Sequence, residues 1–102
     1  SARAVVAHMV QVNRAIAAGL RGRPAPEEVP PADYSAALAA LESSARELAE
    51  ACRAFPPDRL AAGEDPDPLR LMQVGVLHLS YHWGQLGYLQ TLWGDPVDHF
   101  LK

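Results

Sequence analysis

The sequence predicts an all-α fold: an antiparallel helical bundle, with three helices supplied by this chain. Three observations carry that reading. Apolar residues return every three to four positions instead of alternating, which is the period of a helix face and not of a strand. Ala and Leu dominate, while the β-branched Val and Ile that favour strands are fewer. Prolines gather between the periodic segments, where they break no helix.

The first helix is predicted from about Ala2 to Leu20. Its apolar stripe is Val5, His8/Met9, Val12, Ile16 and Leu20, and Gly19 and Gly22 supply the stop. Four prolines in the nine residues from Arg23 to Pro31 make the next segment a stiff, extended connector. The second helix runs from Ala32 or Asp33 to Ala54. Tyr34, Leu38, Leu41, Ala45, Leu48, Cys52 and Phe55 fall at alternating four- and three-residue steps, the pattern of a bundle seam. Glu42, Arg46, Glu47, Glu50 and Arg53 form its solvated face, with Glu42 and Arg46 at the favourable i,i+4 spacing. Pro56-Pro57 ends that helix, and an acidic loop rich in Pro and Gly leads to Asp67. Asp67-Pro68 reads as an N-cap followed by proline at the first helical position. The third helix is predicted from Pro68 to Trp93, stopped by Gly94 and Pro96.

With 102 residues the chain is read as a single domain covering residues 1–102. A chain of this size buries roughly 60–65% of its unfolded surface, so its core is small. Up-down bundles usually close with four helices, so either a helix is missing here or a second copy supplies the remaining wall. A net charge of −3 gives no basic face for nucleic acid. No apolar run approaches the roughly 20 residues of a membrane span. The single cysteine, Cys52, forms no internal disulfide and builds no cysteine-rich zinc site, consistent with a cytoplasmic protein.

The chemistry sits in the histidines. His78 and His82 are four apart and project from one face of the third helix, one turn from each other. That face is the apolar one, shared with Leu71, Val74, Gln85, Leu89 and Leu92, and His8 lies on the inner stripe of the first helix. Three imidazoles from two helices can therefore converge, and neutral imidazole suits Zn, Ni, Cu or Fe. Three protein ligands leave positions open for water or substrate. The segment from His78 to His82 has no Glu after its first His, so the zincin general base is missing. No Asp or Glu lies between Pro68 and Gly94, which disfavours a di-iron carboxylate site. Gln85, one turn past His82, is read as a residue that orients a metal-bound water. Ser80 and Tyr81 are read as local bonding or packing groups, Trp83 and Trp93 as packing or interface residues, Cys52 as a structural thiol, and His99 as a solvent-exposed histidine. The competing reading makes His78 and His82 core histidines bonded to a backbone carbonyl or to Gln85, in a non-catalytic helical module that acts by dimerising.

The run from His78 to Gln90, with two histidines four apart followed by Gly-Gln and a short aliphatic stretch, resembles the last-helix signature of the DinB/YfiT-like family of metal-binding helical bundles. The Val5–Met9 run is similar to the helix that donates that family's third histidine, and the Asp33–Ala54 segment to the Ala/Leu-rich helix between them. The resemblance implies a divalent metal, Zn or Ni, held by His8, His78 and His82, often in a homodimer. It also implies a low-molecular-weight thiol as co-substrate for S-transfer or isomerisation on a small electrophile, with neither nucleic acid nor membrane as partner. It implies four helices as well, and the first of them has no counterpart here. If the first and third helices run parallel, His8, about 10 Å into its helix, falls below His78 and His82 at about 15–21 Å, which would agree with a first helix that begins earlier.

Overall fold

The computed structural model describes residues 2–64 and 67–92. Three helices make the fold: α1 (Ala2–Leu20), α2 (Tyr34–Ala54) and α3 (Pro68–Leu92). Among the described residues there is no strand. Trp93, the Gly94 and Pro96 stop, and His99 lie outside the described residues.

The helix ends follow their local chemistry. After α1, the Gly22 N–H donates to the Gly19 carbonyl at 3.2 Å and the Arg23 N–H to the Ala18 carbonyl at 2.9 Å. Gly22 sits at φ 68°, the left-handed conformation that this closure requires. At the start of α2 the Asp33 carboxylate accepts from the Ala36 N–H at 2.7 Å. Asp67 does the same for the Leu69 N–H at 3.1 Å, ahead of Pro68. The acidic loop opens with a 3-10 turn over Pro57–Ala61. Pro57 both ends α2 and starts this turn, since its fixed φ suits a first helical position. The turn sets Leu60 against the core and the Arg59 guanidinium over the Phe55 ring, 4.7 Å from its centroid.

α1 is the central helix and packs against both others. It runs parallel to α2: Asn13 meets Ser44, Arg14 meets Glu47, and Leu20 shares a cluster with Ala51 and Phe55. α3 runs the opposite way, with Leu71 against Gly19, Gly75 against Ile16 and His78 against His8. The parallel arrangement of first and third helices is thus overturned, and the apparent offset of His8 goes with it. In an antiparallel pair, depth is measured from the C-terminal end of α1, and there His8 is level with His78 and His82. The parallel α1–α2 pair needs a connector that travels back along α1. Nineteen helical residues span about 28 Å, within reach of the thirteen extended residues between Leu20 and Tyr34. Arg14 fastens this connector, bonding Glu28 on it and Glu47 on α2, each at 3.1 Å.

The core is Ile16, Ala17 and Leu20 of α1 with Leu48, Ala51 and Phe55 of α2; Leu71 and Met72 of α3 pack on it. A Cβ at Gly75 would stand 3.4 Å from Ile16 Cδ1 and 3.6 Å from Leu48 Cδ2, so only a very small residue lets α3 approach here. The predicted seam of α2 is rotated by about one residue. Its buried face is Ala37, Ser44, Leu48 and Ala51, while Tyr34, Leu38 and Ala45 are exposed. The small side chains bring α2 close to α1, and Leu38, Leu41 and Ala45 turn toward a groove that α2 and α3 leave between them. That groove, about 600 Å³, is completed by Met9, Leu79 and Trp83. The predicted inner stripe of α3 is corrected likewise: Val74 and Leu92 are 44% and 62% exposed, and Gly75 takes the inward position. Glu42 and Arg46 pair at 2.6 Å as their spacing implies, but Glu47 is drawn from the solvated face by Arg14.

Candidate metal centre

Where the antiparallel α1 and α3 face each other beyond the hydrocarbon core, three imidazoles meet. His8 comes from α1, and His78 and His82 from successive turns of α3. The Nε2 atoms of His8 and His78 are 3.0 Å apart, and those of His78 and His82 are 2.9 Å apart. The three ring centroids lie 4.2–4.9 Å from one another, edge to face. Burial grades across the cluster: His82 is buried, His78 half-buried and His8 exposed, so the centre opens on the His8 side.

Hydrogen bonding alone does not account for this arrangement. A neutral imidazole nitrogen has one in-plane direction, occupied by a proton or by a lone pair. His78 Nε2 lies within bonding distance of two other Nε2 atoms and can satisfy only one of them. A cation accepts lone pairs from all three at once. Two imidazole nitrogens each bound at about 2.1 Å to one ion stand roughly 3.0–3.4 Å apart, depending on the angle between them. The two separations, 3.0 and 2.9 Å, lie at and just below the short end of that range, and all three ligand atoms fall within 4.8 Å of one another, so the three residues could hold a divalent ion.

The far sides of the rings support the same protonation pattern. His82 Nδ1 is hydrogen-bonded to Gln85 Oε1, one turn on. Because Oε1 can only accept, Nδ1 carries the proton and Nε2 keeps a free lone pair. Gln85 therefore grips the back of a candidate ligand. Burial, then the proximity of His82 and of His8, pushes the His78 pKa below its usual 6.5 and keeps that ring neutral, as a metal ligand must be. His78 Nδ1 is buried without a hydrogen-bond partner.

The other residues singled out in the sequence lie around this centre. The Ser80 hydroxyl donates to the Val76 carbonyl at 2.9 Å, a local bond within α3. Tyr81 is exposed, with its ring edge-on to His82 at 5.3 Å between centroids. Trp83 lines the groove between α2 and α3. Cys52 is half-buried against the core. Two features escape a reading of hydropathy. Asn13 and Ser44, both fully buried, join α1 to α2 through an Asn13 Nδ2 to Ser44 Oγ hydrogen bond of 3.2 Å. Beside His8, the connector closes over α1 and α2 to form a cavity of about 520 Å³, lined in part by Gln11, Arg14, Glu28 and Pro30. The four prolines signal the connector, but nothing local shows where it lies.

No helix among the described residues is long and apolar enough to cross a membrane. A comparison with protein families matches residues 1–86 to the DinB superfamily. Neither the curated proteins nor the solved structures contain a significant match to the chain.

Proposed function

The chain belongs to the DinB superfamily, and from that premise we propose that it is a divalent-metal-binding protein that activates a thiol or a water for attack on a small electrophile. The observation that carries the metal reading is the meeting of three Nε2 atoms at a point where hydrogen bonding leaves one of them oversubscribed. His8, His78 and His82 would hold the ion, with Zn or Ni the metals that the family resemblance implies among those that imidazole suits. When bound, such an ion lowers the pKa of a thiol or water on its open side toward neutrality. The chain's own residues provide the rest. Gln85 fixes the tautomer and ring orientation of His82. Burial of His78 favours its neutral ring, and the site opens on the side of the exposed His8. The cavity beside His8 offers room for a small substrate, with Gln11, Arg14 and Glu28 as its polar contacts. The use of a low-molecular-weight thiol rests on the family resemblance, and this site is compatible with it.

The test is elemental analysis of tag-free protein beside a His78→Ala, His82→Ala double variant. The expected result is close to one divalent ion per chain, lost in the variant. Absence of metal from both, even after reloading with Zn or Ni, would return the histidines to a packing role. A metal-loaded protein is then screened for thiol transfer to electrophiles, with metal-stripped protein as the baseline.

A further inference from the structure

The connector from Arg21 to Asp33 lies on the fold without being packed into it. Of its thirteen residues only Glu28 and Pro31 are half-buried, and the rest are exposed. Its polarity is inverted: the Glu28 carboxylate turns inward to Arg14, while Val29 beside it is 83% exposed. Among the described residues no backbone hydrogen bond holds residues 24–32, and the one ion pair of that stretch is Arg14 to Glu28, at 3.1 Å. A partly exposed ion pair contributes little net stability, because it competes with hydration and is screened by salt. Glu28 Oε1 is buried without a hydrogen-bond partner, which opposes the closed position further, since an unmatched oxygen regains water when the segment lifts. Little apolar burial fixes this segment, and charge holds it.

We propose that the connector is a strap that lifts from the cavity beside His8 and closes over it, with the Arg14–Glu28 pair as its latch. Three features support a moving part. First, the strap has slack. Its thirteen residues reach about 40–47 Å when extended, and the way back along α1 is about 28 Å. It can bow outward with neither helix unwound. Second, it is stiff on both sides of the latch and free at one end. Pro24, Pro26, Pro30 and Pro31 fix φ, so the strap moves as a few rigid pieces. Gly22, at φ 68° with nothing within 4 Å of where a Cβ would stand, is the pivot next to α1. Third, lifting at the latch changes the cavity most. Arg14 and Glu28 line both the cavity of about 520 Å³ beside His8 and a second one of about 370 Å³ that extends to Ala17, Ala18 and Arg21. The ion pair stands between them. Releasing Glu28 joins the two and takes Val29, Pro30 and Pro31 out of the cavity wall. The bond from Arg14 to Glu47, at 3.1 Å, does not involve the strap, so the α1–α2 contact survives the opening. Such a strap admits a small substrate and then shields it from water beside His8. That use rests on the proposed activity, whereas the motion needs no metal.

The experiment is a distance measurement by double electron–electron resonance on the full chain in a Cys52→Ser background. Spin labels are placed at Val29→Cys on the strap and Glu50→Cys on α2, both exposed positions, and far-UV circular dichroism verifies folding. At about 0.05 M salt the labelled protein with its latch intact is expected to give one narrow distance distribution. Glu28→Gln keeps the size of the side chain and removes its charge. It is expected to widen the distribution about twofold and lengthen its mean, as a shift from a closed to an open population does. About 0.5 M salt is expected to do the same to the protein with Glu28 and to add little in Glu28→Gln. Glu47→Gln, which breaks only the bond between the helices, is expected to leave the distribution narrow. An unchanged distribution in Glu28→Gln overturns the proposal. So does a protein with Glu28 that is already as broad as the variant at low salt or is indifferent to salt, and so does equal opening in Glu47→Gln. Because the metal content of the same samples is read separately, failure of the strap and failure of the metal site are distinguishable results.

Discussion

α1 meets α3 at two places that differ only in what fills the space between them. Toward the C-terminal end of α1, the contact is Ile16 and Gly19 against Gly75 and Leu71, hydrocarbon on glycine. One to two turns away it is His8 against His78 and His82, imidazole on imidazole. The backbone scaffold is the same, two antiparallel helices side by side. The first contact is complete as it stands, because dispersion and burial need no directional partner. The second is incomplete, because lone pairs and protons are directional and three ring nitrogens compete for too few bonds. A bundle end with a dry core can thus hold an adjacent end in a geometry that the latter would not adopt by itself. It is the contact around Gly75 that holds the two helices so that the three histidines stay gathered.

Breaking the hydrocarbon end should have the larger effect on stability. Leu48 is almost fully buried in the cluster and touches the space at Gly75. Leu48→Ala is expected to lower unfolding free energy by about 2–4 kcal/mol, from lost burial and the cavity left behind. In urea denaturation this appears as a fall in the midpoint at unchanged slope. Under conditions where the variant remains folded, its metal stoichiometry should equal that of the wild type. Loss of metal from a folded Leu48→Ala protein would mean that the two ends are not separable.

The imidazole end is sharpened by Gln85. Its bond to His82 Nδ1 orients the ring from behind, and loss of such a partner typically weakens a metal site about 10–100-fold. Gln85→Leu is expected to show that loss in competition with a chromophoric chelator, with little change in the stability of metal-free protein. Gln85→Glu, which keeps an acceptor, should recover most of the affinity. Wild-type affinity in Gln85→Leu would show that His82 is held by packing alone.

These two ends were not equally legible in the sequence. The extents of α1, α2 and α3 could be read closely, because capping residues and glycines act locally: Asp33, Asp67 and Gly22 each do their work within a few residues. The convergence of His8, His78 and His82 could be read because i,i+4 spacing and an apolar stripe fix which way a side chain points. The rotation of α2 could not. Leu38 and Leu41 carry more hydropathy than Ala37 and Ser44, yet a small residue on a close helix contact is buried more completely than a leucine at its edge. The Asn13–Ser44 bond was invisible for the same reason, since its partners are polar and 31 residues apart. The direction of α3 relative to α1 is a tertiary fact, and the level of His8 against His78 and His82 depends on it. Gln85 could be placed beside the site with two partners open to it, a metal-bound water or a histidine, because a helix period gives the face and not the rotamer.

The smallest effect separates the two ends by pH. Unfolded, a histidine takes up its proton near pH 6.5; folded, His78 takes it up at lower pH, because burial and then the neighbouring His82 and His8 oppose the charge. Within that window the unfolded chain binds more protons than the folded one, so stability falls as pH falls and is retained in full above pH 6.5. Metal-stripped wild type should therefore show a lower urea midpoint at about pH 5.5 than at about pH 8, and His78→Leu should show a flatter profile over the same range. The Leu48→Ala deficit should be the same at both pH values, since Ile16, Ala17, Leu20, Ala51 and Phe55 around it carry no titratable side chain. With metal present the dependence should steepen, because protons then compete with the ion for three lone pairs rather than one. A wild-type profile as flat as that of His78→Leu would mean that this ring charges as freely folded as unfolded, and that the end of the bundle around it is wetter than its burial implies.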